Sequence, residues 1–385
     1  MIYINAVAAL NALGNDLNSI AASLSANVKT ALRPDRGWLL HDKPCWTGKV
    51  DGDLPAVPAA LAAHDSRNNR LLMAALAQIR PAVDEAIAAF GSDRVAVILG
   101  TSTSGLDEAD RFVSQHTTSY RYVQQELGDP SRFLAAYLQL KGPAYTISTA
   151  CSSSARALIS GMRLIDAGVV DAAIVGGADT LSRMPLNGFD GLESLSPDCC
   201  QPFSALRNGI SIGEAAGLML ISTRQDSVAI LGIGESSDAY HMSAPHPEGD
   251  GARRAITMAL SQAGLQPDNI GYINLHGTAT RLNDDIESGV VHALFGNRVP
   301  CSSTKHLCGH TLGAAGITEA VICWLLLTQD IPLPAQDFSQ NAWDEQLPDC
   351  GLLREPARLA RPVIMSNSFA FGGNNTSLIL GKVDV

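Results

Sequence analysis

The sequence predicts an α/β protein with a parallel or mixed sheet, and three observations carry that reading. Short apolar β-rich runs alternate with helix-like stretches through the middle of the chain. The same alternation returns in the second half. Hydrophobic residues make up 46% of the 385 positions and charged residues only 17%, so a large interior is available to bury such a sheet.

The elements follow in order. The N-terminal MIYINAVAALNALGNDL reads as a first strand and turn. It has no basic leading segment, and Asn15 and Asp16 follow its apolar run, so it does not read as a signal peptide. Residues 59–87 read as mostly helical with a break near Pro81. Val95–Leu99 is a buried-strand run closed by Gly100, residues 145–148 are a second run leading into Ala150 and Cys151, and residues 172–175 are a third. Between the last two lies a helical stretch, 152–167, stopped by Gly168. In the second half, 270–275 is a strand ending at His276 and Gly277, and 299–302 is a weaker one interrupted by Pro300. Residues 313–327 are helical. Residues 362–365 and 377–380 are strands flanking a bend at Gly372 and Gly373.

The length suits two domains or two halves of one large domain. The division falls at residues 1–230, carrying Cys151, and 231–385, carrying His276, His310 and Lys305. A local similarity links the halves: L-G-T-S-T-S-G at 99–105 and H-G-T-A-T at 276–280 each follow a strand and precede acidic residues.

Composition excludes several function classes. The net charge is −11 and no Lys/Arg-rich run exists, which argues against nucleic acid as a partner. The apolar stretch 320–327 is too short to span a bilayer. The eight cysteines form no C-x-x-C pair and no compact disulfide framework. They read as reduced thiols, and the protein as cytoplasmic.

Four segments carry chemistry. In S-T-A-C-S-S-S-A, 148–155, a strand runs into Cys151 where a helix of small residues begins. A helix N-terminus favours a thiolate, lowering the thiol from about 8.5, so Cys151 is a candidate nucleophile, the alternative being an ordinary buried cysteine. In N-L-H-G-T-A-T-R-L-N-D, 274–284, His276 stands at a strand end and Thr278 and Thr280 offer hydroxyls at alternate positions. The alternative is a structural histidine. In S-S-T-K-H-L-C-G-H-T-L-G-A-A-G-I-T-E, 302–319, Lys305 and His310 lie five apart across a glycine turn, before a helix start without bulk. In S-N-S-F-A-F-G-G-N-N, 366–375, a glycine-rich bend after a strand can present backbone N–H groups to an oxyanion, or be a plain hairpin turn. Cys308 with His310, and His241 with His246, are conceivable metal-ligand pairs. Neither has a usual zinc spacing, and no metal is expected.

Together and in this order, the four segments resemble the elongating β-ketoacyl-acyl carrier protein synthases, type I/II condensing enzymes of the thiolase-like superfamily. The resemblance covers roughly residues 90 to 382. It implies a thiolase-like fold of two similar βαβ-type halves in a layered αβαβα architecture. It implies Cys151 as nucleophile, His276 and His310 as the two histidines, and Lys305 paired with Glu319. Asp284 falls on the family's aspartate, with Glu287 three residues later. Phe369 and Phe371 fall on its paired phenylalanines. The N–H groups of Cys151 and Phe371 would form the oxyanion hole, and Thr278 and Thr280 would hold the pantetheine amides. The segment Gln201–Gly217 also looks like the family's P-F-D-x-x-R-D-G-F loop. The implied activity is decarboxylative condensation of an enzyme-bound acyl group with malonyl-acyl carrier protein, in fatty-acid or specialised polyketide or polyene synthesis. Two alternatives remain: a non-catalytic or chain-length-determining partner subunit, and a transferase that only moves acyl groups. No cofactor is expected beyond the carrier's phosphopantetheine. Expected partners are acyl carrier protein and either a second copy or a chain-length-factor-like subunit. Carrier docking is expected at Arg67 and Arg70, three apart on a helix face.

Several positions depart from the family pattern. Arg281-Leu282-Asn283 stands where Pro-x-Gly is usual, with Asn283 expected to replace glycine at a left-handed position. Ser204, Asn208 and Ile210 depart in the 201–217 segment. Ala370 replaces a glycine between the phenylalanines, which implies a stiffer gate there. Starter-condensing relatives use Cys-His-Asn, whereas His310 stands third here. Thiolases need a second cysteine that 366–373 lacks, and Cys151 argues against a chain-length factor.

Overall fold

The fold is described here from a computed structural model covering residues 1–115 and 120–384. The central apolar runs, Val95–Gly100, Ala172–Asp179 and Ala215–Ser222, pair with one another and are buried on both faces, whereas the edge strand Ala144–Ile147 is half-exposed. In the first half, β1 (Ile2–Leu10), β2 (Val95–Gly100), β3 (Ala144–Ile147), β4 (Ala172–Asp179) and β5 (Ala215–Ser222) lie in the order β3-β2-β4-β5-β1. β2 is parallel to β3 and β4, and β5 is antiparallel to β4 and β1. In the second half, β6 (Val228–Ser237), β7 (Tyr272–Asn274), β8 (Cys301–Ser302), β9 (Val363–Phe369) and β10 (Asn374–Lys382) lie in the order β8-β7-β9-β10-β6. The directions repeat: β7 is parallel to β8 and β9, and β10 is antiparallel to β9 and β6. Each strand of the first half therefore has its counterpart five strands later. A short antiparallel pairing of Ile2 with Ile230 and Tyr3 with Ala229 joins the halves through β1 and β6.

The helices repeat in the same way. α1 (Arg67–Phe90) and α2 (Asp129–Leu138) cover the outer face of the first sheet, where Leu72, Leu76, Val83 and Phe133 pack on Val97, Leu99 and Leu218. α3 (Ser153–Asp166) follows β3. α4 (Asp250–Ala263) and α5 (Arg281–Phe295) cover the outer face of the second sheet through Ile256, Val291 and Phe295. α6 (Ala315–Thr328) follows β8. α3 and α6 lie side by side between the sheets, and the largest apolar cluster surrounds them. The result is five layers, αβαβα. α6 is apolar on every face, as befits a helix with sheets above and below, and Glu319 is its one charged residue.

Two expectations are corrected. α1 runs unbroken through Pro81. Pro81 and Ala77, whose carbonyl loses its helical partner, both lie on the exposed side, so water replaces the lost bond. Asn283 is not left-handed; it sits in the first turn of α5, with its side-chain amide toward Asp284 and Glu287. Ala370 has φ −91° and ψ 154°, an ordinary extended conformation, and the left-handed positions of that bend are Gly372 and Gly373. All eight cysteines are unbonded, including the buried Cys301 and Cys350, whose sulfurs lie 3.7 Å apart. Among the described residues, no helix is long and apolar enough to cross a membrane.

The central helices meet backbone to backbone. A Cβ on Gly316 would lie 2.7 Å from both the amide nitrogen and the Cβ of Ala155. Ser154 Oγ accepts the N–H of Ile317 at 2.9 Å, satisfying a first-turn donor of α6 from α3. Gly316→Val should therefore overpack this contact and lower stability by about 1–3 kcal/mol, read as a lower denaturation midpoint. An unchanged midpoint would contradict the close approach.

Candidate active site

β3 ends in a turn that places Cys151 just before α3. Ala150 adopts φ +52°, an uncommon conformation for alanine, and Ser152 and Ser153 hydroxyls tie back to the carbonyls of Thr149 and Ala150. This local bonding, rather than a glycine, fixes the sharp exit from the strand. In the second half, the loop between β8 and α6 carries Lys305, in a short helical turn Lys305–Cys308, and then His310. His310 is clamped by backbone bonds, its N–H donating to Ser211 and its carbonyl accepting from Gly213. A side chain on Gly309, at φ +83°, would collide with the Gly213 amide. His276 follows β7, and Glu287 of α5 holds it there by accepting the N–H groups of His276 and Gly277, each at 2.7 Å.

These elements bring Cys151, His276 and His310 together, with their ligating atoms all within 4.8 Å of one another. His310 Nε2 lies 3.0 Å from Cys151 Sγ, and the two imidazoles stand perpendicular with centroids 5.6 Å apart. Lys305 sits behind His276, bonded to its carbonyl oxygen and to Glu319, with Nζ 3.4 Å from His276 Nδ1. Lys305 and Glu319 are both almost wholly buried. The backbone N–H groups of Phe371 and Cys151 favour the thiolate form of Cys151.

The hydrogen bonds assign both tautomers. His310 Nδ1 accepts the Leu312 N–H at 3.1 Å, so its proton is on Nε2. His276 Nδ1 faces an ammonium, which only donates, so its proton is also on Nε2. Both rings thus carry their proton on Nε2, which for His310 is the atom facing the Cys151 sulfur. Burial first, and then the charge of Lys305, hold both histidines well below the usual imidazole range, so they are neutral near pH 7. A Cys-His-His set is chemically able to ligate zinc. Here, however, each Nδ1 is engaged by a donor, which leaves Nε2 protonated and unable to ligate.

A cavity of about 420 Å³ opens over the centre, lined in part by Thr278, Thr280, Phe369 and Phe371. The Thr278 and Thr280 hydroxyls lie 2.9 Å apart. Asp284 does not line the cavity. It is fully buried, accepts the N–H groups of Phe203 and Ala279, and so shapes the turn; burial raises its carboxyl to about 6. The sequence reading did not single out Phe189, whose ring lies 5.6 Å from that of Phe371, nor the wall formed by Ser243, Ala244 and Pro245. No motif marks them. Asn208 and Ile210, noted only as departures, also line the cavity.

Residues 57–227 match the N-terminal domain of beta-ketoacyl synthase, and residues 228–339 match its C-terminal domain. A "3-oxoacyl-[acyl-carrier-protein] synthase 2" of Staphylococcus aureus is 31% identical over 352 residues, covering 83% of each chain. The chain belongs to the beta-ketoacyl synthase family. A synthase of the same name from Rhizobium meliloti is 36% identical over 264 residues, an alignment covering 63% of this chain and 62% of that protein, so less than two thirds of that relative is matched. Among solved structures, a ketosynthase (ApeO) in complex with its chain length factor (ApeC) from Xenorhabdus doucetiae is 61% identical. It superposes with a TM-score of 0.97 over 99% of this chain and 98% of that one.

In this family member, Arg67 and Arg70 do not form a free basic face, because both are paired within the chain. Arg67 bonds the buried Glu214 and the Val50 carbonyl, and Arg70 makes a two-point pair with Asp65 at 2.6 and 2.7 Å. Their charges are matched inside the chain, and Arg67 serves to tie α1 to residues 50 and 214.

The expected depression of the Cys151 thiol is also reversed. Burial pushes it up to about 11, against the opposing pull of Lys305 and of the Phe371 and Cys151 N–H groups. Desolvation therefore outweighs the helix terminus in the resting site. Iodoacetamide labelling of Cys151, followed by peptide mass spectrometry, should rise about tenfold per pH unit from roughly pH 7 to 10. A plateau near pH 7–8 would show that the helix terminus prevails.

Proposed function

We propose that the chain catalyses decarboxylative condensation of a Cys151-bound acyl group with malonyl-acyl carrier protein, giving a 3-oxoacyl-carrier. The observation that carries this is the meeting of Cys151 with two neutral histidines, His276 and His310, whose ligating atoms lie within 4.8 Å of one another and whose Nδ1 atoms each face a donor. Two neutral donors suit an oxygen on which negative charge develops.

In the first half-reaction, Cys151 attacks the acyl-carrier thioester. The new C–S bond forms as the carrier's C–S bond breaks, and the departing carrier thiolate takes the Cys151 proton. The backbone N–H groups of Cys151 and Phe371 hold the oxyanion of the tetrahedral intermediate. In the second, malonyl-carrier enters with its thioester oxygen between His276 and His310. The bond to the carboxylate breaks, CO2 leaves, and the electron pair becomes an enolate held by the two N–H groups. The enolate carbon attacks the acyl carbonyl, the 3-oxoacyl-carrier departs, and the Cys151 thiolate regains a proton from water. Lys305, compensated by Glu319, fixes the His276 tautomer. Thr278 and Thr280 receive the pantetheine amides. The reaction requires no metal or organic cofactor, because loss of CO2 drives it.

The partners proposed are acyl carrier protein and a chain-length-factor-like subunit. The second is favoured over a second copy by the 61% likeness to a ketosynthase whose solved complex contains one.

Cys151→Ala should abolish condensation without unfolding the chain. His276→Ala and His310→Ala should each lose CO2 release far more than acylation of Cys151, by about 100-fold or more, the worth of one such donor. Intact-protein mass spectrometry measures acylation, and CO2 release from malonyl-carrier measures decarboxylation. Acylation lost as fully as decarboxylation in both variants would contradict this division of roles.

A further inference from the structure

Among the described residues lining the cavity, Arg281 is the one lysine or arginine and Glu193 the one acidic residue. Arg281 is exposed, and among the described residues it forms no ion pair, with Glu193 or any other acid. The acidic groups nearby are already engaged. Asp344 bonds Arg207 at 2.7 Å, and Asp285 bonds the same guanidinium. Asp344 senses the charge of Arg281 but is held below the usual carboxylate range first by its bond to Arg207. Arg281 is thus a cation lining the cavity with no ion-pair partner among the described residues.

Its place along the wall suggests what it meets. His276, Thr278, Thr280 and Arg281 all line the cavity and follow one another along the chain. On the reading above, a phosphopantetheine arm presents, in order from its sulfur, a thioester, two amides and a phosphodiester. The thioester lies at His276 and the amides at Thr278 and Thr280. We propose that Arg281 binds the phosphodiester of the incoming carrier's phosphopantetheine arm. This rests on the condensing-enzyme reading and adds a binding residue at a position where the sequence departs from its family. A guanidinium presents a planar fork of donors matched to phosphate oxygens. The malonyl carboxylate is a poorer candidate, since it must leave as CO2 next to the histidines.

The test compares malonyl-phosphopantetheine with malonyl-pantetheine, which lacks the phosphate, on the full chain in the assembly in which it is isolated. The wild type should show a KM about fivefold lower for the phosphorylated substrate, the scale of a partly exposed charged contact. Arg281→Ala should erase that difference by raising KM for the phosphorylated substrate, with kcat little changed. Arg281→Lys should keep part of it. Equal changes in KM for both substrates would overturn the proposal and assign Arg281 to the fold or to the malonyl carboxylate. A wild type indifferent to the phosphate would also overturn it. Absence of decarboxylation with either substrate would overturn the condensing-enzyme reading itself. Calorimetric affinities of 4′-phosphopantetheine and pantetheine for the same proteins would then still decide the role of Arg281, and equal affinities in the wild type would remove it.

Discussion

The contact between α3 and α6 at Gly316 and Ala155 is the constraint on which the site depends. Cys151 leads into α3 from one half of the molecule, and His310 leads into α6 from the other. They are 159 positions apart in the chain, yet Nε2 and Sγ lie 3.0 Å apart. That distance exists because the two helices touch without intervening side chains, with a Gly316 Cβ excluded and Ser154 Oγ bonded across to Ile317. The same economy of bulk appears where β2 meets the start of α3: a Cβ on Gly100 would lie 2.3 Å from the Ser153 carbonyl carbon and the Ser154 nitrogen. Small residues at these junctions set the position of the nucleophile as firmly as any bond to the cysteine itself.

Close packing buries the side chains of the centre, and burial governs their charges. Burial opposes ionisation of every group there, so the thiol is pushed up and both imidazoles are pushed down. The charge of Lys305 lowers both histidines further and is balanced by Glu319. Removing one member of such a buried pair costs about 3–5 kcal/mol, because the survivor is left uncompensated. The pair's contribution to chemistry is separate from its stability: an ammonium beside Nδ1 dictates that His276 carries its proton on Nε2. A neutral isostere would leave the tautomer to chance. Glu287, raised to about 7 by burial, acts similarly on the backbone, with its two oxygens fixing where β7 ends.

Much of this was legible in the sequence, for identifiable reasons. The strands showed as continuous apolar runs because both faces are covered, and the helices between them showed by length and by glycine stops. Cys151, His276, Lys305 and His310 stood out because each sits at the junction of a strand with a turn, where side chains reach a shared space. What failed depended on partners far apart in the chain. Arg67 looked like a surface cation until Glu214, 147 positions later, was found bonded to it. Pro81 looked like a helix breaker because nothing local says that its turn faces water. The thiol shift was misjudged because a helix terminus is a local feature, whereas burial belongs to the whole fold. Phe189 carries no local signal; it matters only through the ring of Phe371 across the cavity.

The duplication of the fold explains how a site of this kind can lie on an internal seam. The two G-T-x-T turns seen in the sequence follow β2 and β7, which occupy the same position in their sheets. In the first half the turn is held by the buried Asp179, which accepts the Thr101 and Thr103 hydroxyls and the N–H groups of Ser102 and Thr103. In the second half, Glu287 and Asp284 hold the corresponding turn from α5. Both halves thus use a buried carboxylate to close a strand end, but only the second turn opens onto the cavity. The junctions leading into α3 and α6 diverge likewise, one supplying a sulfur and the other a lysine and an imidazole. Equivalent positions have taken complementary chemistry, and the packing of the two central helices brings the complements into contact.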